Sequence, residues 1–165
     1  MNLELTIRNR QRTRGVETRL LRQITTGLLT DGLALASVEL GITLVAAPEM
    51  ARINWQFLQH EGSTDVITFD HTEAQDSRKF SAASPHISGE LFICVDDAVA
   101  QARIFRTTWQ AELIRYLVHG VLHLCGHDDY QAVARRKMKR EENRLVRWLG
   151  ARFALRQLAK AARKR

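Results

Sequence analysis

Leu3, Leu5 and Ile7 alternate with polar residues at the period of a half-buried strand, and the run from Val16 to Leu29 then places Leu20, Leu21, Ile24 and Leu28 on one helical face. The pair of signals repeats. Val38, Leu40, Ile42 and Leu44 alternate as a second strand, and Pro48 stands near the start of a helix whose Met50, Ile53 and Phe57 share a face. Val66 to Phe69 and Glu90 to Val95 are short β-rich runs, separated by a polar stretch from Asp70 to Ser88 that is expected to be a surface loop. Asp96 and Asp97 are candidate caps for a helix ending near Arg106. Thr107 with Gln110 forms a capping-box pattern for the next, which runs to about Leu124 and stops at Gly126. From Gln131 the pattern is helical to at least Leu149, with Ala134, Met138, Leu145 and Leu149 as the buried stripe. The elements predict an α+β fold, a single domain with a small mixed sheet covered by helices.

A chain of 165 residues is the length of one average domain, and 45% hydrophobic with 26% charged residues is an ordinary globular composition. The start, Met1 to Leu5, lacks the basic and apolar segments of a signal peptide. The most apolar region, Leu29 to Pro48, is broken by Asp31 and Glu39, so no membrane span is read and a cytoplasmic protein is expected. Cys94 and Cys125 then read as packed thiols. Charge adds one distinction. From Arg135 to Arg165 there are thirteen Lys or Arg against Glu141 and Glu142, a net of +11, whereas the rest of the chain carries −4. A basic carboxyl-terminal arm on an acidic body suits a polyanionic partner, because each neutralised phosphate releases counterions.

The chemistry concentrates in one segment. His119 and His123 stand four residues apart on an expected helix, one above the other on one face, where two neutral imidazoles can grip a single ion. Gly126 lets the chain leave that helix and turn back, bringing His127, Asp128 and Asp129 within reach. Three protein ligands with a vacancy are the usual arrangement of a catalytic zinc. Asp129 is the preferred third ligand and His127 the other candidate. His127 and Asp128 are also candidates to move protons, and Cys125 should face away from His123.

The segment His119-Gly120-Val121-Leu122-His123-Leu124-Cys125-Gly126-His127-Asp128-Asp129 closely resembles the signature of the YbeY-type endoribonucleases, which act in ribosomal RNA maturation. That signature has histidines at its first, fifth and eleventh places. Here Asp129 holds the eleventh, and His127 stands where the family usually carries tyrosine. Ile53 to Leu58, Ser63 to Phe69 and Ser88 to Ile93 resemble the family's upstream helix, turn and strands, except that the arginine expected after the aromatic at Phe57 is Leu58. The likeness runs from Asn2 to about Leu149. It implies a nuclease domain over residues 1–150 followed by a basic tail over 151–165, and a zincin-like fold with one Zn2+ per chain. It further implies cleavage of single-stranded ribosomal RNA, and work at the small ribosomal subunit with assembly factors.

Two rival readings follow from the same residues. The HxxxH pair also resembles the zinc segment of metzincin proteases, but those place Glu directly after the first histidine and Gly120 stands here. A binding protein that uses the metal only to pin a helix end would dock on ribosomal RNA through the basic arm.

Overall fold

The computed structural model describes residues 1–72 and 85–161. The alternating segments form β1 (Asn2–Asn9) and β2 (Ser37–Val45), and the two β-rich runs form β3 (Val66–Asp70) and β4 (His86–Cys94). β1, β2 and β4 are parallel, and β3 pairs antiparallel with β4 at the edge, in the order β1-β2-β4-β3. The register sets Leu5, Leu40 and Gly89 in one row and Ile7, Ile42 and Leu91 in another, so alternate positions of the parallel strands share one apolar face. That face meets α1 (Thr18–Gly27) and α4 (Trp109–Leu124) in one core, and α5 (Ala132–Arg152) packs against α4. α2 (Ala47–Leu58) covers part of the opposite face, where Met50 and Ile53 join Val45, Ile67 and Cys94. α3 (Val95–Phe105) leaves β4 directly and lies along α4. The mixed sheet and its covering helices are those the alternation and helical periods predict.

Several details differ from the sequence reading. β4 begins at His86, ahead of Glu90, because its register with β2 continues back to Ser37. Residues 73–84 of the expected loop lie outside the described residues. Phe57 is 56% exposed, since α2 buries only the turns bearing Met50 and Ile53, and its ring meets Phe69 edge-on at the margin. The cap of α4 is Thr108, whose hydroxyl accepts from the amide of Ala111, while Thr107 donates to Glu112. Neither Asp96 nor Asp97 caps α3. Both sit inside its first turn, where negative charge meets the positive end of the helix dipole. In α5 Ala134 is only half-buried.

Two further features complete the body. After Gly150 helix α5 continues to Arg152, and a short 3-10 turn at Leu155–Leu158 buries Leu158 while Ala159 bridges to Val16. Both cysteines are free, and burial pushes each thiol up to about 12, which keeps them protonated. No helix among the described residues is long and apolar enough to cross a membrane.

Candidate metal centre

The end of α4 builds the site. Gly126 adopts φ +88°, a left-handed conformation that costs glycine little. Its amide then donates to the carbonyl of His123 at 2.9 Å, and that of His127 to Leu122 at 3.0 Å, closing a Schellman turn. This turn folds the His127 carbonyl back over His123, whose Nδ1 lies 3.1 Å from it. Asp128 then accepts from the amide of Tyr130 at 2.6 Å, bending the chain so that Asp129 faces the helix again.

The result is a triangle. The Nε2 atoms of His119 and His123 are 3.1 Å apart, and Asp129 Oδ2 lies 3.8 Å from the first and 3.6 Å from the second. Among the described residues, these are the three whose donor atoms lie mutually within 4.8 Å. The side chain of His127 points elsewhere. It lines a separate groove with Asp128, Leu33, Pro85 and Lys137, and the groove beside the triangle contains neither His127 nor Asp128. Burial lowers the His127 pKa.

The chemistry of the donors fits a divalent ion. A carbonyl oxygen only accepts, so His123 must carry its proton on Nδ1. His119 Nδ1 is likewise engaged, 2.9 Å from Oε2 of Glu142. Two neutral imidazoles so placed turn bare Nε2 lone pairs toward each other, an arrangement that needs a cation or a proton between them. An ion about 2.0–2.1 Å from each of three tetrahedral donors separates them by roughly 3.3 Å, close to the observed edges.

Glu142 was not among the residues expected from sequence, yet it organises the site. It is 3% exposed and is bonded to Arg115 at 2.7 Å, Lys139 at 2.9 Å and His119. Burial alone would raise its carboxyl, but hydrogen bonds from His119, Arg115 and Lys139 outweigh that and hold it at about 2. The same bond to Glu142 is the main reason the His119 pKa is raised, against the opposing effect of burial. A signal was present in the chain: position 142 falls within the stripe of Met138, Leu145 and Leu149, and a charge at such a place needs a partner. Arg115 could also have been noticed, one turn before His119 on the same face of α4.

The triangle opens on a groove of about 580 Å³ whose floor is α4 (Glu112, Arg115, Tyr116, His119) and whose walls are α3 (Asp97, Gln101, Phe105) and α5 (Arg135, Met138, Lys139). Arg135 and its neighbours Arg136, Lys137 and Arg140 are exposed and make no ion pair among the described residues. Leu58 does not line this groove. Gly120 points away from it, toward the sheet, where an added Cβ would stand 2.7 Å from Leu91 Cδ2 and 3.3 Å from Val66 Cγ2. An acid at that position would therefore enter the core. Gly120→Ala is expected to lower the thermal midpoint, since overpacking of about 1–3 kcal/mol exceeds the helix-propensity gain of about 1 kcal/mol. An unchanged midpoint would mean that Leu91 gives way freely.

The model of the family described as Endoribonuclease YbeY matches residues 6–150. The chain belongs to this family. Among relatives named Endoribonuclease YbeY, the Parabacteroides distasonis protein is 41% identical over 98 residues, 59% of this chain and 62% of that protein. A Chlorobium phaeovibrioides protein is 35% identical over 102 residues, 62% of each chain. A Chlorobium luteolum protein is 31% identical over 147 residues, 89% of this chain and 98% of that one. The chain thus spans about three fifths of the first two YbeY relatives and nearly all of the third. In fold it is similar to the solution structure of TM1509 from Thermotoga maritima, with a TM-score of 0.65, 22% identity, and coverage of 98% of this chain and 99% of that one. For a YbeY family member the triangle of His119, His123 and Asp129 is a candidate centre whose third donor is a carboxylate.

Proposed function

We propose that this protein is a metal-dependent endoribonuclease that cleaves single-stranded ribosomal RNA during maturation of the small ribosomal subunit. The observation that carries the reading is the pair of Nε2 atoms 3.1 Å apart with both Nδ1 atoms already committed, beside the Asp129 carboxylate. The name shared by the curated relatives, Endoribonuclease YbeY, supports RNA as the substrate.

His119, His123 and Asp129 hold one Zn2+. When bound, such an ion supplies Lewis acidity toward a phosphoryl oxygen or a water. The other residues act around it. Glu142 orients His119 and fixes its tautomer, and the His127 carbonyl does the same for His123. Asp128 holds the turn that presents Asp129. The guanidinium of Arg135, which makes no ion pair among the described residues, draws a phosphate toward the groove, and the basic outer residues of α5 add salt-sensitive attraction for the rest of the strand. Because its contribution is a backbone oxygen, His127→Ala is expected to keep one ion per chain and near wild-type cleavage. Loss of the metal in that variant would make the imidazole itself a ligand.

The test is cleavage of single-stranded ribosomal RNA by protein stripped with a chelator and then given zinc, with both product ends mapped. Cleavage lost on stripping and restored by zinc supports the nuclease. A 2′,3′-cyclic phosphate opposite a 5′-hydroxyl assigns the attack to the RNA 2′-hydroxyl, and a 5′-phosphate opposite a 3′-hydroxyl assigns it to water. If zinc-loaded protein binds RNA without cutting it, and His119→Ala binds as well, the protein is a metal-stabilised RNA-binding assembly factor instead.

A further inference from the structure

The groove beside the triangle changes character along its length. Near His119 its wall carries Arg135 and Lys139, whereas its far end is formed by Gln101 and Phe105 of α3, one turn apart, and by Glu112 of α4. α3 and α4 are joined by three residues and run antiparallel, with the carbonyl of Asp97 at the start of α3 accepting from the Tyr116 hydroxyl midway along α4. Phe105 is thereby set beside the first turns of α4. The helical rise from Glu112 to His119 puts that end roughly 10 Å from the metal ligands.

The residues that line this end suit a phosphate poorly. Glu112 is buried and takes its hydrogen bond from Thr107, Arg115 is committed to Glu142 and Asn143, and the exposed Arg106 that follows Phe105 is not part of the groove lining. What the end offers is an aromatic face and an amide edge. Phe105 is 65% exposed and has no ring partner among the described residues. A large apolar ring held in the wall of a wet groove, continuous with a site for a phosphodiester, matches the face of a nucleobase.

We infer that Phe105, with the Gln101 amide beside it, forms a subsite that stacks one unpaired base of a nucleotide flanking the cleaved phosphate. The inference rests on the nuclease reading and deepens it: a base within a duplex cannot present its face to Phe105, so the subsite selects single strands.

Fluorescence anisotropy on the zinc-loaded full chain tests this with two labelled single-stranded DNA octamers, one of mixed sequence and one abasic throughout. DNA reads stacking without requiring cleavage. Phe105→Ala is expected to weaken the mixed octamer by roughly 5- to 150-fold, the range for one base stacked on an aromatic side chain, and to leave the abasic octamer unchanged. Phe105→Trp restores binding, and Ile104→Ala, at an equally exposed neighbour outside the groove lining, has no effect. Equal affinity of wild type and Phe105→Ala for the mixed octamer, or an equal loss on both octamers, overturns the subsite. Wild-type protein that shows the stacking increment yet never cleaves RNA overturns the nuclease reading and leaves a single-strand binding site in place.

Discussion

His123→Ala, purified without a histidine tag, is expected to retain no stoichiometric metal by mass spectrometry and to lose RNA cleavage by well over the roughly 10²- to 10³-fold that removal of a single charge-stabilising donor costs. His123 is the group that both neighbours depend on. Its Nε2 is 3.1 Å from that of His119 and 3.6 Å from Asp129, so deleting it leaves the two remaining donors 3.8 Å apart with no third among the described residues to close the site. Asp129→Ala should behave in the same direction, because the carboxylate is the only negative charge in the triangle. Asp129→Asn separates the two contributions, since it keeps a donor oxygen and removes the charge. One ion per chain retained in Asp129→Ala would exclude Asp129 as the third ligand. Metal content unchanged in His123→Ala would remove the basis of the whole reading.

Glu142→Ala is expected to destabilise the fold by about 3 kcal/mol, near the low end for breaking a buried ion pair. The low end applies because Lys139, at 59% side-chain exposure, can turn to water, whereas Arg115 and His119 are left facing the vacated space. The same change should weaken metal binding by roughly 10- to 100-fold, the usual cost of losing a partner that orients a ligating histidine. Glu142→Gln keeps an acceptor for His119 Nδ1 and is expected to restore most of the metal affinity but little of the stability. The pH dependence has a definite sign. The carboxyl is held at about 2 in the folded protein, below its ordinary value of 4.5, so its stabilisation is complete above that ordinary value and disappears as pH falls through about 2. Chemical denaturation of wild type and Glu142→Ala between pH 7 and pH 2 should show the two curves converging at the acid end. A constant gap across that range would mean that packing, not charge, accounts for the loss.

The remaining reading as a protease fails on placement as well as on residue type. Position 120 follows the first histidine of the pair, but the helix turns it toward Leu91 and Val66, where only a glycine fits without displacement. A base for peptide hydrolysis would have to come from another element.

What was legible from the chain is local. The period-two runs at Leu3 and Val38 became strands because alternation fixes which side of a pleat each residue faces, the β-rich run at Glu90 became one as well, and the i, i+4 spacing of His119 and His123 set two imidazoles on one helix face wherever that helix packed. Gly126 ended the helix because only a residue without a Cβ takes its conformation cheaply, and the return of Asp129 followed from that turn. Tertiary structure decided the rest. Glu142 lies 23 residues from His119, and no local period reveals which buried carboxylate meets which imidazole. Phe57 shares its helix period with Met50 and Ile53 but is exposed, because the extent of the sheet, not the helix, sets how many turns are covered. His127 was weighed for its imidazole, and the fold uses its carbonyl, a group every residue carries and no sequence motif displays. Which atoms converge on the site depends on how α4 and α5 pack, and that packing is a property of the whole core.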